Sequence, residues 1–349
     1  HTPGFRVDAI PQDAHEVYEM LSAGHSDGVF QMESSGLKRV LMSLKPDRFE
    51  DIIAVIALYR PGPMDSIPKY IHNRHHPEQV RYLHPMLEPI LSVTYGCIVY
   101  QEQVMQVFRA LAGYSLGRAD VVRRAMSKKK HDVMAREREI FLHGLVENGQ
   151  VIVEGCERRG IPGKIADVIF NDMSAFASYA FNKPHAAAYA VVVYQTAYLK
   201  CFYPKEYMAA LLTSVLGSGK VAGYIGECNR LGIDVLPPSV NESGAGFTVA
   251  GDHIRFGLLA VKNLGNAFIQ ELVREREENG PYTSFYSFCK RLSSCREFNR
   301  RGLDSLVRCG ALDGLGANRH QMLEVADQVI DQLDDANRRN LDGQMGFFD

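Results

Sequence analysis

Twenty residues, KPHAAAYAVVVYQTAYLKCF (Lys183–Phe202), constrain this chain more than any other segment. Alanines, valines and tyrosines recur all round the segment. Pro184 stands where a helix begins, a position at which its missing N–H would be unpaired anyway. The pattern predicts a central helix buried on every side, with other helices packed around it. Its apolar stretch Ala186–Val193 is well short of the ~18 residues that a membrane span needs, so no membrane partner is expected.

The rest of the chain is also patterned for helices. Capping serines before Leu37, Val40, Leu41 and Leu44 predict a helix over Ser34–Leu44. Further helices are expected at Asp13–Leu21, Asp47–Tyr59, Gln101–Ala112, Gly117–Ser127, His131–Val146, Gly163–Ala177, Lys205–Leu216 and Lys220–Leu231. Gly62, Pro63 and Pro68 predict a loop running through His72, His75 and His76 to about Pro89. At Ile233–Gly246 the composition shifts to turn formers. Short strands are then expected at Phe247–Val249 and Ile254–Phe256, and helices at Asn266–Glu278, Ser284–Arg291, Arg300–Cys309 and Asn318–Leu333.

Composition excludes several classes. With 349 residues, 46% hydrophobic and 23% charged, the chain can form two or three globular units. Its formal net charge of −2 offers no global attraction for nucleic acid, so any such contact must come from a local patch. The seven cysteines are scattered without a C-x-x-C pair, which predicts free, buried thiols in a reducing cytoplasm rather than a zinc site. The start, HTPGFRVDAIPQD, has neither an initiator methionine nor a secretory pattern, which predicts a piece or a processed form of a cytoplasmic protein.

The local patch is Arg118–Arg138, which holds eight basic residues against Asp120, Asp132 and Glu137. Arginine forks suit phosphate bidentately, while lysines act as mobile point charges. A helix continuing through Lys130 would set Arg124 one turn from Lys128, and Arg123 two turns from Lys130. Taken alone, the stretch reads equally as a solvated basic face.

Six blocks then occur in order: GVFQMESSGLKRVL (Gly28–Leu41), ALYRPGPM (Ala57–Met64), YGCIVYQEQVMQ (Tyr95–Gln106), GYSLGRADVVRRAMSKKK (Gly113–Lys130), FNKPHAAAYAVVVYQTAYLK (Phe181–Lys200) and LPPSVNES (Leu236–Ser243). With IRFGLLAVKNLG and RRGLDSLVRCGALDGLG further on, the chain resembles the bacterial C-family replicative DNA polymerases, the DNA polymerase III alpha subunit family. The resemblance covers essentially the whole chain. It implies a mainly α fold: a multi-helix fingers domain over 1–238, then a smaller helical region over 239–349 with helix-hairpin-helix-like elements and a short β-hairpin.

The resemblance also implies roles. Arg123 and Arg124 face the triphosphate of the incoming dNTP, with Lys128 beside them and Lys129 and Lys130 on the DNA backbone. Ser127 replaces the usual glycine and Pro184 the usual serine. Arg60, Gln101, Asn182, Lys183 and His185 would line the nucleotide and template cleft, His185 being open to a purely structural role as well. The family's catalytic aspartates, which hold Mg²⁺, fall upstream of His1, and no D-x-D pair occurs in the sequence. Catalysis by this chain alone is therefore not expected, and no metal or cofactor is expected on it.

Downstream, VKNLGNAFIQELV (Val261–Val273) is similar to a helix-hairpin-helix turn, whose backbone N–H groups meet a DNA phosphate through Lys262, Asn263 and Gly265. Asn263 replaces a glycine there, and asparagine tolerates the left-handed conformation. CGALDGLG (Cys309–Gly316) reads as a second, degenerate unit. The terminal QMGFF resembles a sliding-clamp binding pentapeptide, with Gln344, Met345, Phe347 and Phe348 as its contacts. The implied partners are primer–template DNA, dNTP, the sliding clamp (beta subunit) and other replisome subunits. Two other readings stay open: a stand-alone DNA-binding or clamp adaptor protein, and the error-prone paralogue of the same polymerase family.

Overall fold

The computed structural model describes residues 4–128, 131–177 and 179–341. Among them are sixteen α-helices and two small sheets, so the chain is mainly α. Its contacts divide it into two compact units, His1–Cys201 and Phe202–Asp349.

The first unit holds α1 (His15–Ser22), α2 (Ser35–Leu44), α3 (Phe49–Leu58), α4 (Ile67–His75), α5 (Glu88–Leu91), α6 (Gln101–Ala112), α7 (Leu116–Ser127), α8 (His131–His143), β1 (Leu145–Glu147), β2 (Gln150–Val153), α9 (Gly163–Ala177) and α10 (Lys183–Phe202). Two apolar cores organise it. One gathers Val17, Leu21, Leu41, Ile52, Ala190 and Tyr194 from α1, α2, α3 and α10. The other centres on Phe108, Phe141 and Phe170, whose rings lie 5.2–6.1 Å apart in edge or tilted pairs.

Local chemistry starts and stops these helices where the sequence suggests. The Ser34 hydroxyl accepts the Leu37 N–H to begin α2, and Ser115 accepts the Arg118 N–H to begin α7. Asp51, fully buried, accepts two bonds from Arg74 at 2.9 and 3.1 Å and so ties α3 to α4.

Three expectations need correction. The loop predicted from Gly62 to Pro89 contains α4, because Pro68 sits in the first turn of that helix, where it breaks no bond. The helix predicted to reach Val146 ends at His143. Gly144 then takes φ +89°, at a point where a Cβ would meet the Glu154 carbonyl at 2.4 Å. The antiparallel pair β1–β2 comes next, turning on Asn148 and Gly149 at φ +49° and +78°. Lastly, α10 is buried on one face only. Ala186, Ala190, Val193 and Ala197 pack inward, while Tyr189 and Val192 are 37% and 40% exposed.

The second unit holds α11 (Pro204–Ser214), α12 (Val221–Arg230), β3 (Val235–Leu236), β4 (Thr248–Ala250), β5 (His253–Arg255), α13 (Asn266–Asn279), α14 (Phe285–Leu292), α15 (Arg300–Arg308) and α16 (Arg319–Leu341). The expected hairpin is present as β4–β5, and β3 joins β5 in parallel to give the order β3-β5-β4. Met208 and Leu212 of α11 share a core with Phe247 and Ile254 of this sheet, and the Thr213 hydroxyl accepts the Phe247 N–H at 2.9 Å. These contacts group α11 and α12 with the sheet in the second compact unit. A second core joins α13 to α16 through Ile269, Leu272, Phe288, Leu306 and Met322. Asn318 and Gln321 cap α16 reciprocally at 2.9 and 3.0 Å. None of the seven cysteines is in a disulfide, and Cys97, Cys156, Cys228 and Cys289 are buried.

Candidate functional site

In the first unit the basic stretch begins on α7. Asp120 accepts Arg123 Nη2 at 2.8 Å and Nε at 3.1 Å through one oxygen, and Arg124 Nη2 at 2.8 Å through the other. The bond from Arg123, reinforced by the charge of both arginines, holds the Asp120 carboxyl below its ordinary pKa. The side chain of Arg124 is 67% exposed, that of Arg123 only 14%. Arg118 is occupied differently: it pairs with Glu137 at 2.7 Å and stacks over Tyr114.

Helix α7 ends at Ser127, with Lys128 as its cap at φ −88°. Lys129 and Lys130 lie outside the described residues. Ser127, standing where glycine was expected, stays helical and donates its hydroxyl to the Ala177 carbonyl at 2.9 Å, joining α7 to the end of α9.

Of the five residues expected to line a cleft, Arg60, Gln101 and His185 lie against Phe181, which Asn182 and Lys183 follow in the chain. Tyr100 and Phe181 form a parallel bridge just before α6 and α10. Arg60 stacks on the Phe181 ring at 4.3 Å and donates to the carbonyls of Ala57 and Tyr179. Burial lowers the pKa of this guanidinium. Gln101 takes the Phe181 carbonyl with its backbone and the Ala180 carbonyl with its side chain. Both Arg60 and Gln101 thus brace the turn ahead of α10.

The mouth of α10 is arranged otherwise than the sequence suggests. Asn182 caps the helix by accepting the His185 N–H at 3.0 Å. Glu102 on α6 takes the Asn182 amide at 2.8 Å and the Lys183 N–H at 3.0 Å. Lys183 Nζ pairs with Glu50 at 3.1 Å and lies 5.4 Å from the Tyr100 ring centre. The positive end of α10 is therefore met by a carboxylate of α6.

His185 is exposed, and its ring packs between Phe181 at 5.3 Å and Tyr189 at 4.7 Å. Phe30 continues the series, 5.7 Å from Tyr189, and its backbone N–H is held by Thr196. Phe181, His185, Tyr189 and Phe30 form a partly exposed aromatic row along the outer side of α10. Residue-by-residue matching missed Phe30, Tyr189, Glu50 and Glu102. The spacing of four between Phe181, His185 and Tyr189 was the available signal for part of the row.

In the second unit Asn263 adopts φ +62°, the left-handed conformation expected of it, and donates its amide to Ser305 Oγ at 3.0 Å. Gly265 caps α13 without any side-chain bond. Lys262 is exposed beside the turn. A shallow depression next to it is lined by Asn263, Asn299, Arg300 and Arg301. Cys309–Gly316 forms the connection between α15 and α16, with Gly310, Gly314 and Gly316 at φ +81° to +89°. Gln344, Met345, Phe347 and Phe348 lie outside the described residues.

Among the described residues no group of three or more His, Cys, Asp or Glu could hold a metal ion. No described helix is long and apolar enough to cross a membrane.

Residues 1–149 match the model of the bacterial DNA polymerase III alpha subunit finger domain, and residues 232–322 match that of the helix-hairpin-helix motif. The DNA polymerase III subunit alpha of Thermus aquaticus is 46% identical over 347 residues, covering 98% of this chain and 27% of that protein. The corresponding subunits of Chlamydia trachomatis and Deinococcus radiodurans are 44% and 43% identical, over 98% and 97% of this chain. The chain spans about a quarter of the length of these relatives, 25–27%. It belongs to the bacterial DNA polymerase III alpha subunit family, of which it carries a finger-domain segment and a helix-hairpin-helix segment.

Proposed function

We propose that this chain is the part of a replicative DNA-directed DNA polymerase that receives the incoming dNTP and holds primer–template DNA during bacterial chromosome replication in the cytoplasm. The observation that carries the reading is the pair Arg123 and Arg124, two guanidiniums held by one carboxylate on a helix of the finger-domain segment. Two forks side by side neutralise triphosphate charge and hold the alpha phosphate in line with an attacking hydroxyl. They lower the barrier by positioning and electrostatics rather than by proton transfer. Lys128 adds a mobile charge at the end of the same helix.

The aromatic row offers a nucleobase or sugar a face on which to pack. In the second unit, the turn at Lys262, Asn263 and Gly265 would bind the DNA backbone without sequence preference, and its affinity would fall with salt. The terminal Gln344, Met345, Phe347 and Phe348 would dock on the sliding clamp as aromatic anchors, alongside contacts to other replisome subunits.

The residues here do not fit the Mg²⁺ that polymerase chemistry implies. Asp120, Glu102 and Glu50 are taken by arginine, amide or lysine donors rather than gathered around a common point. We assign the ion to residues of the larger relatives outside the matched stretch.

Arg123→Ala and Arg124→Ala, built into a full-length alpha subunit, test the reading. Each should raise KM for dNTP and slow incorporation. Unchanged kinetics in both would refute a triphosphate role. Robust primer extension by this chain alone would refute the division of labour.

A further inference from the structure

We propose that Asp120 is a positioning residue for the incoming triphosphate: its carboxylate converts two consecutive arginines, which a helix splays apart, into one two-pronged receptor. The proposal rests on the triphosphate reading of Arg123 and Arg124 above.

The geometry of α7 creates the problem. Successive side chains leave a helix about 100° apart, so Arg123 and Arg124 would naturally point to different faces. One extended ligand could then engage only one of them well. Asp120 precedes them by three and four residues, which places it between their two directions and within reach of both. Each carboxylate oxygen is given to a different arginine, Oδ1 to Arg123 and Oδ2 to Arg124.

The contacts restrain without exhausting the donors. Arg123 is held through Nε and Nη2, along one edge of its fork, and Arg124 through Nη2 alone. A guanidinium has five N–H donors, of which Asp120 engages a minority on each residue; the Arg124 side chain is 67% exposed and that of Arg123 14%, so Arg124 offers a ligand the larger share. The shared negative charge also relieves the repulsion between two cations on neighbouring residues. A long flexible side chain fixed beforehand loses less entropy when the ligand arrives.

Glu137, another acid of the basic stretch, is engaged elsewhere. It is occupied by Arg118 and the Tyr114 hydroxyl.

The test is steady-state primer extension by the full-length subunit carrying Asp120→Asn, Asp120→Glu, Arg123→Ala or Arg124→Ala, varying dNTP and primer–template separately. Asp120→Asn should raise KM for dNTP about three- to tenfold and leave kcat within about twofold, as expected for a partly exposed ion pair acting through its partners. KM for primer–template should not change. Asp120→Glu, which keeps the charge and the reach, should restore most of the dNTP affinity. Circular dichroism melts of each variant establish that α7 is still folded.

An unchanged or lowered KM for dNTP in Asp120→Asn would overturn the proposal, the second outcome marking Asp120 as a competitor of phosphate. So would a parallel rise in KM for primer–template, which a merely structural role would produce. If Arg123→Ala and Arg124→Ala raise KM while Asp120→Asn does not, only the positioning role fails. If all of them leave it unchanged, the triphosphate reading fails with it.

Discussion

The Glu102 carboxylate receives the side-chain amide of Asn182 at 2.8 Å, across 80 residues of chain. Its second oxygen holds the Lys183 N–H, so a glutamate of α6 serves as part of the cap of α10. The pairing explains how the outer row of α10 is held in place relative to Arg60 and Gln101, which brace the same turn.

Glu102→Ala removes both bonds and leaves the α10 amide without its partner. Unfolding free energy should fall by about 1–2 kcal/mol, the usual cost of a lost helix cap. Urea denaturation would show it as a lower midpoint with an unchanged slope. Glu102→Gln, which keeps an acceptor oxygen but no charge, should recover part of the loss.

The turn at Asn263 makes a prediction about conformation rather than contacts. At φ +62° a glycine is comfortable and a β-branched residue is strained. Asn263→Val should destabilise the second unit by about 1–3 kcal/mol and weaken duplex DNA binding. Asn263→Gly relieves backbone strain but loses the bond to Ser305, and it should keep DNA affinity within about threefold of the parent if the backbone amides are the contact. Fluorescence anisotropy at several salt concentrations would measure both.

Acid should loosen the second unit through Glu275. Arg291 bonds the Glu275 carboxylate at 2.7 Å while stacking on Tyr282. That bond, aided by Asn279, holds the Glu275 pKa below its ordinary 4.5. A depressed folded-state pKa means stabilisation that is present above the unfolded value and lost as pH falls through the folded one. Glu275→Gln should therefore be less stable than the parent at neutral pH, and the difference should shrink as the pH drops below 4.5. Thermal melts of the two proteins across that window would check it; a difference independent of pH would exclude the ion pair as its source.

Replacing Phe347 and Phe348 with alanine should abolish capture by the sliding clamp while sparing distributive synthesis by the full-length subunit. Capture retained by the double variant would show that QMGFF is not the docking segment.

Much of the local architecture was legible because its causes are local. Ser34 and Ser115 mark helix starts through bonds to amides three residues on, and Pro184 fits the first turn of α10. The left-handed turn at Asn263 agrees with what asparagine tolerates. Even the clasp of Asp120 on its two arginines obeys helical spacing. Misreadings arise where one residue has two local meanings: Pro68 reads as a breaker and begins α4 instead.

The amino-acid sequence by itself determined that this chain is helical, where most helices begin and end, and that Asp120 stands one helical turn from Arg123 and Arg124. Only the tertiary structure decided that α10 turns Tyr189 and Val192 outward, that Glu102 and Glu50 meet Asn182 and Lys183, and that Phe181 gathers Arg60, Gln101 and His185 around it. The reason is physical. Periodicity and capping act within a few residues, whereas the partner that meets a helix end comes from wherever the chain returns, and only packing brings it there.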